Sequence, residues 1–176
     1  MATQDIAAAL RRAQSVLQRR PGAALHDDAA ATAHWQRGTR VIATHDGGKQ
    51  FLTDMPVELG GSGDEVSPGW LLRAGFASCT ATCIAMAAAA EGIELLALEV
   101  QAHSRSDTRG LLGLPDAAGE PVYAGPRDVQ LSVKISAHGV SAQRLRALAE
   151  RSYLRSPMAR ALLDAVPVTL RIEVAD

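Results

Sequence analysis

Cys79 and Cys83 are the two cysteines of this 176-residue chain, set four residues apart in a run from Trp70 to Ala90 whose one charged residue is Arg73. Thiol chemistry with a peroxide requires the thiolate, and a free cysteine has a pKa of about 8.5 that apolar burial raises further. A cysteine in such a run therefore needs a cation close by. The field at a helix N-terminus fades within the first turn, and Cys79 lies several turns beyond the capping signal at Ser67. A guanidinium within a few ångströms would lower a thiol pKa by roughly one to three units, so an arginine folded over this helix could act as activator. The competing reading is that Cys79 is a small apolar packing group, since free cysteine is among the most buried residue types. Cys83 shares the helix face of Cys79, yet Cβ atoms at that spacing lie about 5–6 Å apart while a disulfide needs roughly 3.8 Å. An oxidised Cys79 is thus expected to form a sulfenic acid that an external thiol resolves.

The other reactive side chains exclude more than they suggest. His26, His34, His45, His103 and His138 show no HExxH or Cys-His spacing that would gather metal ligands, so no metal is expected, and His34 and His103 are at most cross-strand neighbours. Gly60-Gly61-Ser62-Gly63 is neither a dinucleotide fingerprint nor a Walker loop and reads as a flexible loop, with no cofactor implied. Arg109 stands in a Gly-rich stretch that is either a lid or a turn, and a turn is favoured. A net charge of −1, with arginines spread through the chain, lacks the basic footprint of a nucleic-acid binder. Two cysteines cannot build a disulfide framework, and Met1-Ala2-Thr3-Gln4-Asp5 lacks the profile of a signal peptide, so a reducing cytoplasm is the expected location.

The elements that must position these residues can be read in order. Ile6, Leu10, Ala13 and Leu17 form one stripe of an amphipathic helix that Pro21-Gly22 ends. Ala31 to Gln36, Arg40 to Thr44 and Gln50 to Thr53 read as a small antiparallel meander, turned at His45-Asp46-Gly47-Gly48 and followed by a Gly-rich loop from Pro56 to Glu65. Ser67 is a good N-cap and Pro68 suits the first helical position, so a helix is expected to run through Ala90 and stop at Glu91-Gly92. Its richness in Ala, Ser, Thr and Cys argues for a buried central helix rather than a membrane span. A helix apolar on every side needs protein on every side, which a domain of this size gains most simply from a second copy. Leu98 to Ala102, Val129 to Ile135 and Val168 to Val174 alternate apolar and polar residues as half-buried strands do. Asp107 to Arg127 is a long Gly- and Pro-containing excursion; Ser141 caps a helix through about Tyr153 with Val140 and Leu145 as a hydrophobic staple; Ser156-Pro157 opens a shorter helix ending before Pro167. Strands and helices without regular β-α-β alternation indicate the α+β class.

From Ala31 onward the order of elements, together with Leu59-Gly60-Gly61, Ser67-Pro68 and Leu71-Leu72-Arg73-Ala74-Gly75-Phe76-Ala77-Ser78-Cys79-Thr80, resembles the OsmC/Ohr family. The resemblance implies an N-terminal helical extension over residues 1–28 and an OsmC-like domain over 29–176, with antiparallel sheets around a long apolar central helix in an intertwined homodimer. It implies reduction of organic hydroperoxides through a peroxidatic cysteine at Cys79, with Arg37, after Trp35, matching the activating arginine. Two other parts of that machinery are replaced. Gly69 stands where the family has a glutamate after the helix-start proline, and Ser156-Pro157-Met158 stands where its resolving Cys-Pro motif lies. The run Asp107 to Leu114 and this Ser-Pro ending are similar to a branch lacking the second cysteine.

Two functional readings follow. One is a cysteine-based peroxidase using Cys79, Arg37 and an external thiol reductant. The other is a non-catalytic protein in which Cys79 lines a dimer-interface pocket for an apolar small molecule.

Overall fold

The structure, a computed structural model, describes residues 3–164 and 166–174. The amphipathic N-terminal segment forms α1 (Thr3–Arg19), followed by a single 3-10 turn at Pro21–Ala24. Three short strands follow, β1 (Ala31–Arg37), β2 (Arg40–His45) and β3 (Gln50–Thr53), paired antiparallel in chain order. Their bounds match the sequence reading to within a residue because the apolar-polar alternation and the turn residues agree. Helix α2 (Pro68–Ala90) starts where Pro68 takes the first turn and Ser67 Oγ accepts the Trp70 N–H at 3.3 Å. Strand β4 (Leu95–Arg105), the short α3 (Thr108–Leu111), β5 (Arg127–Ala137), α4 (Ala142–Arg155) and α5 (Pro157–Leu163) complete the fold. The class is α+β, with a three-stranded sheet β1-β2-β3 and a two-stranded sheet β4-β5.

The core lies on one side of α2. Phe76, Thr80, Ile84 and Ala88 recur every four residues and are buried, the spacing that keeps one helical stripe facing inward. Ile84 and Ala88 pack with Ile93, Leu145 and Leu148, and the inward residues of β4 and β5, including Leu98, Val100, Val133 and Ile135, close over them. Val140 joins the same cluster as Leu145, as a staple across the Ser141 cap should. By length and composition α2 could cross a membrane, but here it packs on β4, α4, α5 and α1.

Three expectations are corrected. Residues 166–174 carry no ladder, and Val168, Leu170, Ile172 and Val174 are all exposed. Their alternation specifies a sheet face, but a strand forms only where an open edge accepts its hydrogen bonds, and this segment engages none within the chain. His34 and His103 lie in different sheets, opposite Ile42 and Gln130 respectively, so they are not cross-strand neighbours. The Gly60-Gly61 stretch is a shaped loop rather than a flexible one: Gly60 takes a left-handed φ of 83° after the turn Val57–Leu59, and a Cβ on Gly61 would collide with the Met55 carbonyl.

Candidate thiol site

Cys79 sits one turn beyond the buried Phe76 and is itself half-buried, as is Cys83; both are free thiols. The side chain that meets the Cys79 sulfur comes from the far end of the chain. Ser156, 0% exposed, donates its hydroxyl proton to Cys79 Sγ across 3.2 Å. The approach depends on α5 lying against α2, where Met158 Cε reaches to 3.9 Å of the Cβ that Gly75 lacks. It also depends on the break between α4 and α5, where Ser156 ends one helix and caps the next by accepting the Ala159 N–H at 3.4 Å. Burial and the adjacent Cys79 push the Cys83 thiol up, and the Ser156 hydroxyl partly offsets this. Cys83 therefore stays a protonated thiol.

Beside this cluster an open groove of about 1320 Å³ runs between β5 and helices α4 and α5. Phe76, Leu131, Val133, Leu145 and Tyr153 are among its walls. The Phe76 and Tyr153 rings stand 6.4 Å apart and tilted, so the groove ends one turn of α2 from Cys79. The cysteine itself is not part of the lining.

Arg37 lies on the exposed end of β1, opposite Arg40 across the turn that Trp35 Nε1 closes by donating to the Gly38 carbonyl at 2.9 Å. It makes no ion pair or hydrogen bond among the described residues, and the hairpin that carries it is not packed on its own α2. Cys79 and Arg37 are thus not brought together within one chain. Arg40, by contrast, is committed. Its guanidinium donates to Asp54 Oδ2 at 3.0 and 3.2 Å and pairs with Asp64. Asp54, 2% exposed, also accepts from Thr39 Oγ1 at 2.6 Å and from the Met55 and Ser62 N–H groups. The Thr39 hydroxyl and the loop amides hold the Asp54 carboxyl well below the usual carboxylate range, helped by Arg40. This clamp ties the hairpin to the loop that leads into the Ser67 cap. Sequence reasoning missed it, because Arg40 and Asp54 are each ordinary and only the β2-β3 register makes them neighbours.

Arg109 is a turn residue. It pairs with Asp107 at 2.6 Å, its backbone N–H donates to the same carboxylate, and Gly110 backs onto the Tyr123 carbonyl. That guanidinium holds Asp107 down to about 2. Among the described residues no group of three or more His, Cys, Asp or Glu side chains is arranged to hold a metal.

The family model of OsmC-like proteins matches residues 61–171, more than half of the chain and all of the thiol cluster. The chain belongs to the OsmC-like family. No curated protein matches it. Among solved structures, the OsmC-like protein of Mycoplasma pneumoniae superposes with a TM-score of 0.65 at 19% identity, covering 80% of this chain and 91% of the other. An organic hydroperoxide resistance protein from Elizabethkingia anophelis gives 0.58 at 22% identity over 78% and 89%. The organic hydroperoxide resistance protein OsmC of Legionella pneumophila gives 0.56 at 20% identity over 78% and 90%. At these identities the likeness is one of fold. Within the OsmC-like fold, this chain carries Gly69 at the start of α2 and Ser156 against the cysteine, the two replacements noted in the sequence.

Proposed function

We propose that this OsmC-like protein is a thiol-dependent reductase of organic hydroperoxides that works as a homodimer with Cys79 as the nucleophile. The observation that carries the reading is a half-buried Cys79 sulfur that accepts a hydrogen bond from a buried hydroxyl, one helical turn from a groove walled by apolar side chains and by Lys134, Arg146 and Glu150. The names of two structural relatives, organic hydroperoxide resistance proteins, support the same substrate class. The groove suits the carbon skeleton of such a peroxide better than hydrogen peroxide, which has none.

In the reaction the Cys79 thiolate attacks the outer peroxide oxygen; the O–O bond breaks, an S–OH bond forms, and the departing alkoxide takes a proton from water. A small thiol then displaces water from the sulfenic acid to give a mixed disulfide, and a second thiol releases Cys79 and leaves as the disulfide. The cycle requires a reducing compartment such as the cytoplasm.

The dimer is supported by what the single chain leaves uncovered. Ser78, Thr82 and Met86 form an exposed stripe of α2 opposite the core. Every residue of β1 is exposed, Trp35 at 71%. A second copy would cover these surfaces and would give Arg37 a route to a cysteine it does not reach in its own chain. Arg37 would then favour the thiolate, the role that Arg40, held by Asp54, cannot take.

A second reading is favoured by the absence of Cys79 from the groove lining and by Gly69 and Ser156 at the replaced positions. In that reading the protein binds an apolar small molecule and Cys79 is inert. Consumption of cumene hydroperoxide and of hydrogen peroxide with excess thiol, by wild type and Cys79→Ser, separates the two. Rapid loss of the organic peroxide that vanishes in Cys79→Ser supports the reductase; equal inertness of both proteins excludes it.

A further inference from the structure

Ser156 stands where a disulfide-forming partner would have to stand, and its hydrogen bonds are already assigned. A hydroxyl offers one proton and two lone pairs. Its oxygen accepts the Ala159 N–H at the start of α5, and its proton faces the cysteine pair, with Cys79 Sγ the acceptor at 3.2 Å and Cys83 close enough to feel the same hydroxyl. With the residue 0% exposed, water does not compete for that proton. A donor fixed in this way stabilises negative charge on sulfur and restricts the directions in which the sulfur can point.

We propose that Ser156 is the positioning residue of a one-cysteine cycle: its hydroxyl donates to the Cys79 sulfur when that sulfur carries negative charge and again when it is a sulfenic acid, so that reduction falls to a thiol from solution. The proposal rests on the peroxide reading above for its oxidation step, but the hydrogen bond acts on the reduced thiol as well and can be tested there. The serine oxygen cannot enter a disulfide. Cys83 is poorly placed to replace it, because thiols at this helical spacing have Cβ atoms about 5–6 Å apart. Burial also keeps Cys83 in its protonated form, and a thiol in that form is a poor attacker.

The oxidised intermediate is accordingly a sulfenic acid with a hydroxyl beside it. Two monothiols close the cycle, the first forming the mixed disulfide with loss of water and the second releasing Cys79. A serine here therefore leaves the oxidised cysteine with no internal disulfide to open, and the reductant acts on the sulfenic acid directly.

The test compares wild type with Ser156→Ala, Ser156→Thr and Ser156→Cys, each shown by circular dichroism to be folded. The first readout is alkylation of Cys79 by a neutral haloacetamide at neutral pH, assigned by peptide fragmentation. Loss of one hydrogen bond to a charged group lowers the thiolate population about tenfold. The more basic sulfur regains roughly threefold in nucleophilicity. Ser156→Ala is thus expected to react about threefold more slowly than wild type and Ser156→Thr to recover the rate; the alkylation–pH profile should also move upward by about one unit in Ser156→Ala, which loss of the α5 cap alone would not produce. Unchanged alkylation in folded Ser156→Ala overturns the proposal.

The second readout adds one equivalent of cumene hydroperoxide. Wild type should yield a trappable sulfenic acid on Cys79, and Ser156→Cys should instead yield a disulfide joining positions 79 and 156 that a dithiol opens. A disulfide between Cys79 and Cys83 in either protein overturns the proposal. If alkylation depends on Ser156 as expected and no protein reacts with the peroxide, the peroxide reading fails and the positioning role stands.

Discussion

The two halves of this chain are built to different degrees of completeness. Around the C-terminal part of α2, the sheet β4-β5 and helix α4 bury Ile84, Ala88, Leu145 and Leu148 in one cluster. The β1-β2-β3 sheet and the loop that follows it contribute Thr53 and Asp54 to the buried set, and the internal order of this sheet comes from backbone ladders and the Asp54 clamp rather than from an apolar core. The contrast shows where each kind of residue can act. Ser156 and Cys79 meet in the half that packs upon itself, whereas Arg37 sits in the half whose faces remain open.

The largest expected effect is Leu148→Ala. Its side chain is 0% exposed, and such truncations cost about 2–5 kcal/mol, to be read from urea unfolding followed by circular dichroism. A loss under about 1 kcal/mol would mean that the packed half is looser than described. Next is Thr82→Arg on the exposed stripe of α2, which places an unpaired charge where a second copy is proposed to pack. Sedimentation should show a folded monomer in place of a dimer, and an unchanged dimer would remove this stripe from the interface. Arg37→Ala then tests the open half for function. Its expected cost is about threefold in the rate of Cys79 oxidation, a roughly tenfold smaller thiolate population partly offset by the more basic sulfur, with the unfolding midpoint unchanged because the side chain is exposed and unpaired in the chain. A loss of stability without a loss of rate would reverse that assignment.

The smallest effect is one of pH. The Asp54 carboxyl is held below its ordinary 3.8, so its contribution to folding is fully present above 3.8 and is lost as the pH falls below it. Asp107 follows the same sign between 3.8 and about 2. The cluster of Ile84, Ala88, Ile93, Leu145 and Leu148 has no titrating member. Trp35, whose indole N–H closes the hairpin turn beside Arg40, should therefore change its fluorescence on acidification before the helical circular dichroism declines. Simultaneous change in both would show that the two halves unfold as one unit.

Much of this arrangement was legible in the sequence, and the gaps have physical causes. Helix α2 was readable because Ser67, Pro68 and the uncharged run all point the same way, and that placed Cys79 on a central helix. The three short strands were readable from alternation and turn residues. The meeting of Ser156 with Cys79 was implied only through the family resemblance, since 77 residues separate them and only the packing of α5 on α2 closes the distance. The Arg40–Asp54 clamp was hidden for the same reason, as a product of strand register. Val168 to Val174 misled because alternation reports which side chains want burial and says nothing about which edge receives the strand.

The central claim, that Cys79 is the oxidised nucleophile, is tested most directly by treating the protein with one equivalent of cumene hydroperoxide in the presence of a sulfenic-acid trap and mapping the adduct by mass spectrometry. The account predicts a trapped adduct on Cys79, with Cys83 still a free thiol. An adduct on Cys83, or none on either cysteine while the protein remains folded, would contradict it.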